Sequence, residues 1–437
     1  MKPIFKSEKD FLEKHMHIQL PEYCWRKGMS IYLNPDTKPA IIKFEVKNKK
    51  IIIKKNNIEE VLKSNKNKTW QEEIELNKNR LLLLEKESIE KTKDYILQYP
   101  NNKIRVGVSG GKDSDLMWYI LQKVFADLHI TDYIIDFYNT TNDTAQTYLH
   151  VKNDYNKEKL QINNPQKGWH KWIQEDKNYF LPSVLIRNCC STYKEGQIKK
   201  VLDKNENYII FLGARKHESS KRSDYDWDLN NAEKSTKNNV PANWKRFLPI
   251  VEWTDADVWL YILWKQIKYN EMYNMGFNRC GCLICPYQSD YIDLITKDNY
   301  PKQWDRWMKI VEKNYEVCSV GSNMKWTLEE WQNGMWKQGK SKEQFLIYLK
   351  PTKTNVKALA DIKGISEELA IKYFERKCQC GKKLNPDEVA MNLKVYGRDI
   401  GLDKMECKNC FCEKNNLSGK EYVNMIYEFR NSGCKLF

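Results

Sequence analysis

The sequence predicts an α/β protein built on a parallel sheet, with an N-terminal α+β domain before it and a small cysteine-rich domain after it. Three observations carry this. Residues 104–138 read as a strand (IRVGV), a glycine-rich turn, a helix (DLMWYILQKVF) and a second strand (DYIIDFY). Such a β-loop-α-β unit implies parallel strands, because a helical crossover brings the chain back in the same direction. The alternation then recurs, with YIIFLGA as a strand and DADVWLYILWKQI as a helix. Last, the thirteen cysteines are grouped as Cys-Cys, Cys-x-Cys and Cys-x-x-Cys rather than spread evenly, which in a reducing compartment suggests metal ligation more than disulfides.

Taken in order, residues 1–98 form the N-terminal α+β domain. Within it AIIKFEVKNKKIIIKK (residues 40–55) holds two β-rich runs around a polar Asn-Lys-Lys break and reads as a hairpin, and residues 71–98 carry a helical apolar stripe that Pro100 ends. The α/β domain spans residues 99–295. Residues 296–375 are helical and rich in tryptophan, with Trp304, Trp307, Trp326, Trp331 and Trp336 expected mostly in a core. Within them VKALADIKGISEELAI, centred on Gly364, fits either a helix-hairpin-helix that grips a DNA backbone or ordinary packing of two helices. Residues 376–437 form the cysteine-rich tail, and no internal repeat is apparent.

A chain of 437 residues, 41% hydrophobic and 12% aromatic, has material for the cores of two or three domains. It has no run of eighteen apolar residues, and its start is charged and amphipathic, so a soluble, cytoplasmic protein with no membrane partner is expected. The net charge of +15 suits a polyanionic partner, nucleic acid or a phosphorylated substrate; a Lys-, Asn- and Ile-rich composition explains the charge equally well.

The turn after the first strand of the α/β unit is Ser109-Gly110-Gly111-Lys112-Asp113-Ser114. Two glycines let the backbone approach a phosphate, and the helix that follows presents free N–H groups and the positive end of its dipole. Lys112 adds a mobile cation. The Walker spacing is absent. The loop is instead similar to that of the N-type ATP pyrophosphatases, of adenine-nucleotide α-hydrolase-like (Rossmann-like) fold, in which ATP is cleaved between its α and β phosphates. The resemblance implies that Ser109, Gly110, Gly111, Lys112 and Ser114 hold the pyrophosphate part of ATP and that Asp113 positions Mg2+ or the loop.

Further segments narrow the likeness. IDFYNTTNDTAQTY resembles the second-strand segment of phosphoadenylylsulfate (PAPS) reductases, with Asn139, Thr140 and Thr144 at the polar positions that border the adenosine. GARKHESSKR, with Gly213, Arg215, Glu218 and Arg222, and FLPIVEWTDADVWLYI resemble two further blocks of that family, and the likeness covers residues 100–290. Arg215 and Arg222 supply planar forks suited to phosphate or sulfate oxygens and are the catalytic candidates beside Lys112 and Asp113, with Glu218 orienting one of them. Thr254 reads as a helix N-cap, with Asp257 and Trp259 fixing the helix rather than acting in catalysis.

Cys189-Cys190 and Cys282-x-x-Cys285 resemble the pairs by which adenylylsulfate reductases ligate a [4Fe–4S] cluster, and a tetrahedral zinc site fits the same four thiolates. Cys280 is an alternative ligand for a cluster held by three cysteines. Cys378-x-Cys380 with Cys407-x-x-Cys410 suits a structural Zn2+ site, with Cys412 as an alternative ligand. Cys434 lacks the Glu-Cys-Gly-Leu-His context of a reductase nucleophile and reads as a packed thiol, and Cys24 and Cys318 have no evident partners.

Three functions compete. The intact loop, the basic charge and the absent reductase tail favour an ATP-dependent sulfurtransferase that forms AMP and pyrophosphate. It resembles the ATP pyrophosphatase of DNA phosphorothioation and the tRNA-thiolating enzymes, with DNA or tRNA as acceptor and a cysteine desulfurase as sulfur donor. The tandem Cys189-Cys190 favours an adenylylsulfate or phosphoadenylylsulfate reductase that releases sulfite. A non-enzymatic nucleotide- or DNA-binding component of a defence system is the third reading.

Overall fold

The computed structural model describes residues 1–35, 40–63, 68–177, 179, 181–184, 188–219, 222–231, 240–319, 326–337, 351, 353–374, 377–382, 384–432, 434 and 436–437. Two compact units result, one of residues 1–172 with 187–305, the other of residues 173–186 with 306–437.

The first unit contains two sheets. The N-terminal one is an antiparallel meander of β1 (Lys2–Pro3), β2 (Trp25–Lys27), β3 (Ser30–Tyr32), β4 (Ile42–Lys47) and β5 (Lys50–Asn56), in that order. The β4–β5 hairpin is the one expected from residues 40–55: Lys47 pairs with Lys50 across a two-residue turn in which Asn48 and Lys49 both have positive φ. The sheet is tied to the rest of the unit by buried charge. Glu8, on the helix Lys6–Met16, is fully buried and pairs with Lys2 and with Arg26, whose Nε lies 2.5 Å from Glu8 Oε1. Arg26 Nη2 in turn donates to Gly276 O and to Asn278 Oδ1, each at 2.7 Å. These bonds anchor the segment that leads into Cys280.

The second sheet is parallel throughout: β6 (Lys103–Val108), β7 (Ile134–Tyr138), β8 (Leu160–Asn163), β9 (Tyr208–Leu212) and β10 (Trp244–Phe247), in the order β10-β9-β6-β7-β8. From β6 the chain builds outward through β7 and β8, then returns to the other side of β6 for β9 and β10. The reversal leaves a crevice beyond the carboxyl ends of β6 and β9, where ligands of such sheets bind. The sheet is buried on both faces, as its near-continuous apolar strands require. Inside it, Arg105 Nε and Nη2 grip the Asp136 carboxylate at 2.7 and 2.6 Å.

The helix Trp70–Gln98 matches the expected span and starts at a capping box between Thr69 and Glu72. It lies along the α/β layer: Ile74, Leu81, Tyr95 and Ile96 are buried, Ser88 Oγ accepts from Trp253 Nε1 at 2.9 Å, and Asp257 accepts from Arg80 at the same distance. The helix Asp255–Trp264 is capped by Thr254, with Asp257 closing the box and Trp259 fully buried, so both are structural as expected.

The second unit is helical, with Leu328–Gln332, Lys353–Lys363, Glu367–Ile371, Pro386–Val395, Lys408–Lys414 and Gly419–Asn431. Trp307, Trp331 and Trp336 are core residues there, Trp304 is buried in the first unit, and Trp326 is half-buried. Residues 338–350 of the tryptophan-rich region lie outside the described residues. Gly364, at φ +62°, turns the chain between two helices whose Leu359 and Ala370 join a core with Tyr373 and Val389. Among the described residues no helix is long and apolar enough to cross a membrane.

Candidate nucleotide and cysteine site

At the end of β6 the chain turns through Ser109–Gly111 and enters the helix Lys112–Asp127. Gly110 has φ +67°, and a Cβ there would lie 3.0 Å from the methyls of both Thr147 and Val151, so backbone and space both demand glycine. Ser114 Oγ accepts from Ser109 N (3.3 Å) and Gly111 N (3.2 Å) and donates to Gly111 O (2.8 Å), which folds the loop on itself. Tyr273 OH accepts from Lys112 N at 3.0 Å, and Asn270 Nδ2 donates to Gly110 O at 3.0 Å. The end of β9 meets the loop so closely that a Cβ on Gly213 would fall 2.9 Å from Asp113 O.

Four charged side chains interlock here. Lys112 Nζ lies 2.9 and 2.7 Å from the Asp113 carboxylate oxygens and 3.3 Å from Asp255 Oδ1. Arg215, with no exposed surface, spends its guanidinium on Asp113 Oδ1 (Nε, 2.7 Å), Trp253 O (Nη1, 2.9 Å) and Asp255 Oδ1 (Nη2, 2.6 Å). The expectation that Arg215 offers its fork to a phosphate does not match this geometry: it orients two carboxylates. Burial alone would raise the pKa of Asp113, but Lys112 and Arg215 outweigh it and hold the carboxyl below its ordinary range. Asp255 behaves alike under Lys112, the Met1 amine and Arg215. Arg222 is partly exposed and pairs with Glu218, so of the two arginines it alone reaches solvent.

Below the loop lies a buried relay. Tyr155 OH, 3.3 Å from Ser114 Oγ, donates to Asp115 Oδ1 at 2.5 Å; His150 Nε2 is 2.9 Å from the same oxygen, and His150 Nδ1 is 2.9 Å from Asp154 Oδ2. Bonded to a carboxyl oxygen at each nitrogen, His150 has its pKa raised: burial opposes the charge, and Asp115 with Asp154 outweighs it, while burial raises the Asp115 pKa as well.

The loop after β7 joins this region to the cysteines. Thr140 N and Oγ1 donate to Asp143 Oδ2, and Asn139 Nδ2 donates to Asn164. Thr144 caps the helix Ala145–Asp154. The Cys282–Cys285 segment is fastened to the loop: Leu283 N donates to Asn142 O at 2.6 Å, Asn142 Nδ2 to Ile284 O at 2.9 Å, and Cys282 Sγ lies 3.8 Å from Thr140 Oγ1. The adjacent Cys190, burial and the fields of Cys282 and Cys285 raise the pKa of Cys189. Lys194 sits beside them, its ammonium favoured above all by the Cys282 sulfur. Cys280 turns to the phosphate loop: a Cβ on Gly111 would lie 3.9 Å from Cys280 Cβ.

Several of these residues escaped the sequence reading. Asp255 stands in the Thr-Asp-Ala-Asp turn already taken for a cap, whereas Asn270, Tyr273, Asp115 and His150 belong to no motif, and only folding brings them to the loop.

In the second unit Cys378, Cys380, Cys407 and Cys410 bring their sulfurs within 4.8 Å of one another, a group able to hold a metal. Cys412 donates to Ser418 O at 3.9 Å and packs beside Phe411 and Tyr422, and Cys434 packs against the core of that unit. Cys24 is fully buried, its thiol pushed up to about 12 by burial. The Cys318 side chain lies outside the described residues.

Residues 103–288 match the phosphoadenosine phosphosulfate reductase domain. An uncharacterized protein of Methanocaldococcus jannaschii is 29% identical over 239 residues, which cover 54% of this chain and 55% of that protein. The chain thus spans about half the length of that relative. The adenosine 5'-phosphosulfate reductase of Shouchella clausii is 22% identical over 197 residues, 44% of this chain and 75% of that enzyme. Among solved structures, the phosphate complex of Candida auris phosphoadenylyl-sulfate reductase is similar at 18% identity and a TM-score of 0.35, covering 48% of this chain and 95% of that one. Residues 103–288 thus form a phosphoadenosine phosphosulfate reductase domain, with adenosine 5'-phosphosulfate reductases among its relatives.

Proposed function

We propose that the chain is an ATP pyrophosphatase that transfers sulfur to an adenylated acceptor. The observation that carries this reading is the bonding of the Cys282–Cys285 segment to the loop after β7, next to the intact phosphate loop after β6. A nucleotide in the crevice then lies beside the thiols. The loop amides and Lys112 take the pyrophosphate part of ATP, and Asp113 with Asp255 faces its Mg2+. An acceptor oxygen attacks the α-phosphorus, the α–β bond breaks, and pyrophosphate leaves. The donor's persulfide sulfur, reduced by two electrons from a dithiol reductant to the sulfide level, then bonds to the activated acceptor centre as the bond to AMP breaks and AMP departs with the acceptor oxygen.

The donor set Cys189, Cys190, Cys282 and Cys285 consists of four soft thiols with Lys194 at hand to offset thiolate charge, which fits a [4Fe–4S] cluster. Such a cluster, when bound, supplies iron able to carry sulfur. The net charge of +15 supports DNA or tRNA as acceptor, and the chemistry calls for a sulfur donor of the cysteine desulfurase kind in the cytoplasm.

The test is anaerobic incubation with ATP and Mg2+, with and without tRNA or DNA. Release of AMP and pyrophosphate that rises with one nucleic acid, and sulfur incorporation into it, is expected. No AMP under any condition would overturn the reading. The second reading, adenylylsulfate reduction, is favoured by the adjacent Cys189 and Cys190, and thioredoxin-dependent sulfite release from adenylylsulfate would establish it.

A further inference from the structure

Four cysteines of the second unit take no part in this chemistry. Cys378 and Cys380 lie on a tight turn in which Cys378 N donates to Lys382 O (2.7 Å) and Gly381 N donates to Cys378 O (2.8 Å). Gly381, at φ +84°, makes the turn possible. Cys407 is the N-cap of the helix Lys408–Lys414, and three residues later Cys410 returns to the same side. Cys378 and Cys407 are buried in a core with Leu384, Leu393 and Met405, while Cys380 is exposed.

The sulfur spacing discriminates between the ways four cysteines combine. Cys407 Sγ lies 3.7 Å from Cys410 Sγ and 3.9 Å from Cys380 Sγ, and all four fall within 4.8 Å of one another. A disulfide needs about 2.05 Å, so neither pair is bonded. In a [4Fe–4S] cluster each thiolate sits on its own iron at a separate corner, which spreads the sulfurs wider than a single ion does. A tetrahedral zinc with Zn–S bonds of about 2.3 Å sets its sulfurs about 3.8 Å apart, the observed separation.

We propose that Cys378, Cys380, Cys407 and Cys410 bind one zinc ion as a tetrathiolate, fastening the 378–382 turn to the start of the Lys408–Lys414 helix. The site is structural: four protein thiolates leave no open position on the metal. It shares no residue with the set Cys189, Cys190, Cys282 and Cys285 proposed to hold a cluster. Cys412 faces Ser418 and the Phe411 cluster instead, so it serves as the internal control.

The experiment measures zinc and iron in the anaerobically purified full chain, followed by zinc-edge X-ray absorption. One zinc per chain with a shell of four sulfurs at about 2.3 Å is expected. Cys410→Ser should lose that zinc or show an oxygen in its shell, and Cys412→Ser should keep it intact. Since Cys410→Ser can impair folding, Co2+ exchange into the wild-type chain gives an independent readout, the visible absorption of tetrahedral cobalt thiolate. Absence of zinc, a nitrogen- or oxygen-rich shell in the wild type, or full retention of a four-sulfur shell in Cys410→Ser would overturn the proposal. Cys282→Ser should change iron and leave the zinc shell alone, so failure of the cluster assignment is read separately.

Discussion

Replacing Gly213 with alanine places a methyl between the end of β9 and the phosphate loop. Its Cβ would lie 2.9 Å from Asp113 O and 3.0 Å from both Asp113 C and Ser114 N. All are backbone atoms in the first turn of a helix, so no side-chain rotation relieves the contact. Carbon contacts are comfortable from about 3.5 Å, so loop and strand must part by about 0.5 Å. Overpacking of this kind costs about 1–3 kcal/mol. At about 2–4 °C for each kcal/mol in a large unit, the melting temperature should fall by about 2–12 °C. Under the proposed function, the displaced peptide begins the helix that faces the phosphates of ATP. One misplaced hydrogen bond to a charged group is worth about 1.5–3 kcal/mol, so ATP–Mg2+ affinity should fall at least about tenfold. Thermal denaturation and isothermal titration calorimetry with ATP–Mg2+ measure the two effects. Gly107→Ala is the comparison: its Cβ would meet the Leu212 Cδ2 methyl at 3.0 Å, a side chain that can turn, so the loss should be smaller. A Gly213→Ala protein that melts and binds ATP like the wild type would refute the close approach of β9 to the loop.

Arg215→Met leaves Asp113 and Asp255 without the guanidinium; breaking a buried pair costs about 3–5 kcal/mol, and the partial exposure of both carboxylates reduces this to about 2–3 kcal/mol in urea unfolding at neutral pH. Because both carboxyls are held below their unfolded pKa, the stabilisation is present above about pH 4 and lost in stronger acid, so the gap between wild type and variant should narrow there; a constant gap would argue against the pairing. His150→Gln removes the ring that Asp115 and Asp154 hold, with Tyr155 and Lys268 the other polar groups bonded to those carboxyl groups. Its raised pKa means that the folded state keeps a proton the unfolded chain releases, so the wild-type advantage, about 1.5–3 kcal/mol, should be full below about pH 6.5 and fade as pH rises; stability curves of equal pH dependence would exclude a charged His150. Glu8→Gln strands the Lys2 and Arg26 charges in a dry interior and should cost about 3 kcal/mol or more, and unchanged urea unfolding would show that the network does not anchor the segment before Cys280.

Local order was written in the chain wherever neighbours in sequence impose it. The β4–β5 hairpin, the Thr69 and Thr254 caps, the apolar alternation of β6, β7 and β9 and the glycines of the phosphate loop all depend on periodicity or on contacts a few residues long. The paired cysteines are local too, since an interval of one to three residues already commits both sulfurs to one side of a turn. For that reason the α/β class, the glycine-rich loop and the paired spacing of the cysteines were legible before any coordinates.

What the tertiary structure decided is which distant groups share the crevice. Arg215 looks like a phosphate fork in sequence, but burial forces it to satisfy its donors on Asp113, Asp255 and Trp253, which lie 102, 40 and 38 residues away. Asp255, Tyr273, Asn270 and the His150 relay reach the loop only because the chain returns across β6 after β8, a choice made by packing of the whole sheet. Cys280 and Cys282 are two residues apart yet divide between the loop and the thiol set, because Gly281 at φ +144° turns the backbone between them. Sequence determined the chemistry present in the chain, since residue types and short spacings are local. Folding determined its partners, since a buried charge or thiol must take whatever complement the packed interior brings to it.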